Sequence, residues 1–465
     1  MPKQPVLSRV RSEPWFTVAV VMVAAFTDTL FYGLFVPFTP IILQERADVS
    51  SDQLQMWNSV LLAVYGGAIL IASPLFGYLA DHGPSRQLAF LSGFGALTGA
   101  TVMMHLGGTE YVLLAARVLQ GMSAACVYSA GFAMLHDAFG AENIGYALGC
   151  ISPALTTGAF LGPTLGGLLY DVGGEAAVFG CAYGVILLDI LMRLAWIPPP
   201  SEKRPAALVN GHGNGYGTIQ GPCPRVVEEG GDTFSSERPI SFWLKISQLK
   251  GLIVPTSGWL VVGSLLTAFD GVLPLFVQGT FQWSVSASGL IFLLLFVPST
   301  VVSPLCGAMC DRGSPRTSRF LAAAGFCLCV PSLAMLGIVK KDSIRDKVLL
   351  CVLLAVIGSG TALAGPPLMK QVAVVVEDTE QRSPGIFGPR GGSALAYGLH
   401  NSAFALGNLM GPMIAGAIMA SFGWASMGWA LAVISAVGMF LVLLFMGRGS
   451  TMARQENYNN GQGNI

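Results

Sequence analysis

Gly77-Tyr-Leu-Ala-Asp81-His-Gly-Pro-Ser-Arg86 and Gly307-Ala-Met-Cys-Asp311-Arg-Gly-Ser-Pro-Arg316 decide how this chain is organised. Each has Gly, an Asp four residues later and an Arg five after that, and each closes a long apolar stretch. A second match lies upstream of both. Asp28 is followed by Pro37 in the first apolar stretch of the chain, and Asp270 by Pro274 in the first one after the polar middle. Two matches in the same register imply a duplicated unit, and membrane carriers built from internal repeats place their sites between the halves.

Working outward, the composition agrees. Of 465 residues, 53% are hydrophobic and 11% charged, where soluble domains carry about 25% charged residues. Apolar stretches long enough to span a bilayer fall at 16–43, 57–80, 88–107, 110–135, 145–170 and 176–197, then at 252–276, 286–310, 318–339, 347–376, 391–421 and 424–446. The predicted fold class is an all-α membrane protein of twelve transmembrane helices in two pseudo-symmetric six-helix bundles. The bundles cover 15–197 and 251–447, with tails 1–14 and 448–465. Between them, 198–250 contains Asn210-Gly-His-Gly-Asn-Gly-Tyr-Gly217 and Glu228-Glu229, too polar and Gly-rich to pack a core, and reads as a linker. The first stretch is too long for a signal h-region and reads as a span.

Lys and Arg orient the chain. With the N-terminus inside, seventeen fall on inner segments and five on outer loops, so both termini, the linker and the two Asp-to-Arg loops are expected in the cytoplasm. The net charge of zero gives no reason to expect nucleic acid. Eight of the nine cysteines lie in apolar stretches and read as small core residues; Cys223 stands alone, so no metal set or disulfide framework is legible. No P-loop, H-E-x-x-H or G-x-S-x-G occurs, so neither an ATP-driven pump nor an enzyme is expected.

Further motifs carry a family resemblance. The repeated loops are similar to the G-x-L-x-D-x-x-G-R-[KR] signature of the major facilitator superfamily, the first departing from it at Pro84 and Ser85. Arg117-Val-Leu-Gln120-Gly121 resembles its R-x-x-Q-G motif, and Gly158-Ala-Phe-Leu-Gly162-Pro163-Thr-Leu-Gly166-Gly167 its g-x-x-x-G-P-x-x-G-G motif. The last implies a proton antiporter of the twelve-span drug-exporter branch. Within that branch Phe26-Thr-Asp28-Thr-Leu-Phe-Tyr32-Gly, Leu188-Asp189-x-x-x-Arg193-Leu and Phe269-Asp270-Gly-Val-Leu-Pro274 resemble fungal multidrug and metabolite exporters, relatives of vesicular amine transporters. The lysine in span two and acid in span eleven of the amine transporters are replaced by Tyr65 and Asn401, so a dedicated monoamine carrier is not expected.

The charges then receive roles. A charge at mid-bilayer costs about 2.5–3.5 kcal/mol on insertion scales and so faces a cavity or serves function. Asp28 and its counterpart Asp270 are candidates for proton exchange or for pairing with a cationic substrate, against a purely structural hydrogen bond. Arg117 cannot lose its proton; the resemblance implies that it couples protonation to motion, against a permanent salt bridge. Asp189 and Arg193, four apart on a helix, read as a structural ion pair. The substrate cavity is expected to hold Tyr32, Gln120, Tyr128, His400, Asn401 and Lys370, the last following a Gly365-Pro366-Pro367 run expected to break or kink its helix. Asp81, Arg86, Asp137, Asp311, Arg312 and Arg316 at inner helix ends form an expected cytoplasmic gate of ion pairs. The glycines Gly158, Gly162, Gly166 and Gly167, with Pro163, make a flat face for close packing, expected against span eight.

The resulting expectation is a secondary active transporter that exports small amphipathic organic molecules, drugs or secondary metabolites, by proton antiport and alternating access. Its partners would be the bilayer, protons and the solute; it would need no cofactor beyond the proton gradient and would act as a monomer. The plasma membrane is expected first, a vacuolar or vesicular membrane second. One proton driven by about 100 mV and one pH unit supplies about 3.7 kcal/mol, enough for a concentration ratio of a few hundred. An uncoupled facilitator and a non-transporting receptor or scaffold of the same fold are the alternatives.

Overall fold

The computed structural model describes residues 11, 13–35, 39–50, 53–83, 85–196, 250–283, 287, 290–383, 386–387 and 391–446. Among them all regular structure is helical. In hydrocarbon every backbone N–H and C=O must bond within the protein, and a helix achieves that inside a single segment.

Among the described residues, nine continuous helical runs are apolar and long enough to cross a bilayer, but one extends over 86 residues and another over 53. These two double back at glycines. Gly140, Gly174 and Gly423 adopt φ of 68°, 61° and 84°, which glycine reaches without a Cβ clash. Divided there, the described residues form twelve long helices. They are α1 Pro14–Leu34, α2 Leu54–His82, α3 Arg86–Leu106, α4 Glu110–Cys126 extended to 139, α5 141–172 and α6 175–195. The second set is α7 Ile253–Phe281, α8 Phe292–Arg312, α9 Pro315–Met335, α10 Ile344–Arg382, α11 393–422 and α12 424–445. An even number of crossings puts the start of α1 and the end of α12 on one face, here the terminal face.

Each set forms a six-helix bundle with its own apolar core. The halves meet where α2 lies on α11 and α5 on α8, and a further apolar cluster fills the gap between them toward the terminal face. Leu75, Leu187, Leu191, Val301 and Leu305 point outward, as a lipid-facing surface requires.

Three details differ from the sequence reading. The first span does not run to residue 43: α1 stops at Leu34 and a separate helix, Thr39–Glu45, follows, in a stretch that holds Pro37 and Pro40. The helix with Pro366 and Pro367 does not break but continues through all 39 residues of α10. Pro367 has no N–H for the carbonyl of Leu363, and the Cys306 thiol donates to that oxygen instead, at 3.1 Å. A five-residue π turn, Val127–Gly131, interrupts α4, a deviation that clusters at functional sites. The tails and the linker, apart from isolated residues such as Arg11, Glu13 and Lys250, lie outside the described residues, as do Pro84 and Arg390.

Candidate functional site

A cavity of about 820 Å³ lies between the halves, within the range of small-molecule sites. At its deep end Phe132, Leu148, Met369 and Tyr397 are buried. Toward the opposite face Ala63, Ala159, Asp270 and Met413 are exposed, so the cavity opens that way and is closed toward the termini.

Its two walls differ. The N-half wall carries hydroxyls: Tyr32 and Tyr65 meet at 4.7 Å with their rings tilted by 32°, and Tyr128, on the π turn, joins them. The C-half wall is an aromatic ladder in which His400 stacks on Trp259 at 5.2 Å and Trp259 on Phe404 at 5.0 Å. Both ring nitrogens of His400 are buried without a hydrogen-bond partner. Asn401 donates to Ser73 Oγ at 2.9 Å and Ser402 to the carbonyl of Leu70 at 2.8 Å; Thr156 and Ser299 meet at 2.9 Å. These bonds tie the halves together beneath the open part of the cavity.

The two mid-membrane acids occupy different surroundings. Asp270 faces the cavity and has no hydrogen-bond or ion-pair partner among the described residues. Asp28 is fully buried behind the wall; Tyr65 donates to its Oδ2 at 3.3 Å, while Oδ1 has no partner. The cavity therefore reaches Asp270 directly and Asp28 only through the tyrosines. Arg117, 1% exposed, donates to Gln120 Oε1 at 2.9 Å and forms no ion pair among the described residues. It is not the permanent salt bridge weighed above, and Gln120 is its acceptor rather than part of the cavity wall. The Asp189–Arg193 pair closes at 2.8 Å inside the N half, with Arg193 also bonded to the Phe90 carbonyl and stacked 4.1 Å from its ring.

At the terminal face two related latches hold the halves together. Asp81 accepts from the backbone N–H groups of Ala394 and Leu395 at 3.1 and 2.8 Å, at the start of α11. Arg86 bonds Asp81 at 3.1 Å and Asp137 at 2.5 Å. Asp311 accepts from Gly145 and Tyr146 at 2.8 and 2.7 Å, near the start of α5. Ala394 and Leu395 belong to the first turn of α11, whose N–H groups lack partners within the helix and favour an anion; Gly145 and Tyr146 lie one turn into α5.

The cation of the second latch departs from the repeat. Arg312 and Arg316 are exposed and make no ion pair among the described residues. Lys370 takes the place beside Asp311 and directs its three donors at Asp311 Oδ1 (2.8 Å), Cys310 O (3.0 Å) and Glu142 O (2.6 Å). It is therefore absent from the cavity wall, contrary to the sequence reading, because α10 is unbroken and carries its side chain to the terminal face.

The glycine motif also has another partner than predicted. A Cβ on Gly158 or Gly162 would lie 2.7 Å from Phe26 O or 2.6 Å from Leu30 O, so this face of α5 presses on α1, not α8. Pro163 packs on Gly33, and Gly167 faces open space. The approach to α8 is made lower down, where a Cβ on Gly149 would lie 2.6 Å from Ser303 O. The signal was present in the sequence: the repeated loops begin four residues earlier, as Ser73-Pro-Leu-Phe-Gly77 and Ser303-Pro-Leu-Cys-Gly307. In both copies those residues form the inter-half contact, Gly398 meeting Ser73 and Gly149 meeting Ser303. Tyr65, Trp259 and Phe404 were not singled out as wall residues, since an aromatic inside a span looks the same whether it faces lipid, core or cavity.

Two six-helix bundles, a central cavity open to one face and latches at the other define a multi-pass membrane carrier. The Major Facilitator Superfamily model matches residues 21–385, and the chain belongs to that superfamily: it is a transporter of that family and not an enzyme. An uncharacterized MFS-type transporter of Schizosaccharomyces pombe is 32% identical over 89% of this chain and 91% of its own length. The MFS-type transporter ppzB of Metarhizium rileyi is 28% identical over 94% and 96%, and the multidrug resistance protein MdtG of a Rahnella strain 23% over 89% and 90%. The human organic anion transporter MFSD10 (TETRAN) shares the fold at a TM-score of 0.68 and 20% identity, covering 94% of this chain and 100% of that one.

Proposed function

We propose that the chain is a proton-coupled antiporter that exports small amphipathic organic molecules by alternating access. The reading rests on one observation above the others. Two carboxylates stand inside the spans with no cation bonded to either among the described residues, Asp28 sealed behind the tyrosines and Asp270 on the open part of the cavity wall. An uncompensated carboxylate within a membrane span favours an exchangeable partner, either a proton or a cationic solute. The mixed aromatic and hydroxyl walls suit an amphipathic solute, and likeness to a multidrug resistance protein agrees with that class. The excess of Lys and Arg on the terminal face supports a cytoplasmic terminal face, so the cavity is drawn in its outward-open state, with the plasma membrane as the first site of action.

The test is proton movement in proteoliposomes holding the purified protein, with a panel of amphipathic compounds added under an imposed pH gradient. Compound-dependent proton flux that disappears in Asp28→Asn and Asp270→Asn is the expected result. Compounds that move at the same rate with and without the pH gradient would make the protein an uncoupled facilitator.

A further inference from the structure

We infer that Cys306 and Cys310 form a dithiol site for trivalent arsenicals, closed while the terminal latch on Asp311 holds and reached when that latch opens.

Among the described cysteines these are the one pair separated by a single helical turn. α8 is continuous from Phe292 to Arg312, so residues four apart stand one above the other on the same face. Both side chains are buried, and the thiols lie within hydrogen-bonding reach of each other. Neighbouring helices fix them there. Cys306 donates to the Leu363 carbonyl of α10 at 3.1 Å, and the Ser318 hydroxyl of α9 bonds the Cys310 thiol. Neither side chain belongs to the wall of the central cavity.

The spacing selects the ligand. Cβ atoms one turn apart on a helix are about 5–6 Å from each other, whereas a disulfide holds them at about 3.8 Å. Direct oxidation of the pair would therefore distort α8, and one atom inserted between the sulfurs removes that conflict. A two-coordinate metal ion sets its thiolates in line on opposite sides, which two side chains leaving one helix face do not match. Among the described residues no group of three His, Cys, Asp or Glu exists to complete a larger shell. Trivalent arsenic takes its sulfurs side by side, roughly at a right angle. With phenylarsine oxide, two As–S bonds form, the arsenic–oxygen bond breaks, and both thiol protons leave with that oxygen as water. Arsenic stays trivalent throughout, so the step needs no oxidant.

Access follows from the latch. Gly307, between the two cysteines, backs directly onto Gly145 of α5. Asp311, next to Cys310, accepts from Gly145 and Tyr146, and Lys370 spans from the Cys310 carbonyl to that of Glu142. α5 and Lys370 thus cover the thiol-bearing turn while the terminal face is shut, and the parting of α5 from α8 uncovers it from that side.

The test is intact-mass spectrometry of the full chain in nanodiscs during exposure to phenylarsine oxide, with wild type beside Cys306→Ser, Cys310→Ser and Asp311→Asn. Serine keeps a hydroxyl donor in place of each thiol, and unfolding midpoints within a few degrees of wild type show that the variants are folded. The expected result is one phenylarsenic adduct on wild type, removed by dimercaptopropanol but not by excess glutathione. It is absent from both serine variants and forms at least tenfold faster in Asp311→Asn. The dithiol site is overturned if neither wild type nor Asp311→Asn takes up arsenic, if the adduct persists in either serine variant, or if glutathione strips it. A rate in Asp311→Asn within threefold of wild type overturns the gating by the latch. No transported solute or gradient enters the measurement, so its failure leaves the antiport reading standing.

Discussion

Replacing Asp311 by Asn should open the terminal face. In the latched state this carboxylate accepts from Gly145 and Tyr146 of the other half at 2.8 and 2.7 Å. Hydrogen bonds to a charged group contribute about 1.5–3 kcal/mol and neutral ones about 0.5–1.5. An Asn carbonyl keeps one acceptor oxygen without the charge, and its NH2 group repels the second backbone N–H. The loss is therefore about 2 kcal/mol of inter-half attachment, close to a 30-fold shift toward the state open at the terminal face. Lys370 retains the Cys310 carbonyl within its own half, so the C half is expected to stay folded, and its bond to the Glu142 carbonyl of α5 remains as a tie that the substitution does not remove. Asn143 on α5 and Arg316 beside α8 are exposed and outside the latch. Spin labels at these two sites in a cysteine-free background report the separation by double electron–electron resonance. The expected result is a longer-distance population that grows about 30-fold relative to the closed one. A change of less than about threefold would refute the assignment of Asp311 as an inter-half tie.

Three further outcomes are expected. Cys306→Ala removes the donor to the Leu363 carbonyl and should lower stability by about 1–2 kcal/mol, read as a lower thermal midpoint in detergent; Cys306→Ser, which keeps a donor, should recover most of it. Gly162→Val places side-chain atoms into the Leu30 backbone and should cost 3 kcal/mol or more, roughly the upper end for overpacking, seen as loss of the monodisperse peak on gel filtration, whereas Gly167→Ala, with nothing within 4 Å, should be neutral. Arg193→Met leaves Asp189 buried without its cation and should destabilise by about 3–5 kcal/mol; Asp189→Asn in the same chain should restore part of the thermal midpoint, because the uncompensated charge is gone.

Apolar length and the position of charged and Gly-rich intervals were enough to place twelve spans, since hydrocarbon thickness sets span length independently of what a helix touches. The duplicated loop placed Asp81 and Asp311 at equivalent helix ends, and the i,i+4 spacing paired Asp189 with Arg193 within one helix. Such features are local, and local periodicity in a sequence is legible. What the tertiary structure alone decided concerns direction and partner. The α5 glycines face α1 because a flat helix face accepts any neighbour that fits, and composition does not name it. Lys370 outcompetes Arg316 for Asp311 because an unbroken α10 brings three acceptors within reach of one ammonium. Asp28 and Asp270 match in sequence, yet one is sealed behind tyrosines and the other faces the cavity. Sequence repetition fixes where a residue stands along its helix; the packing of the other helices determines whether water, a solute or a neighbouring side chain meets it.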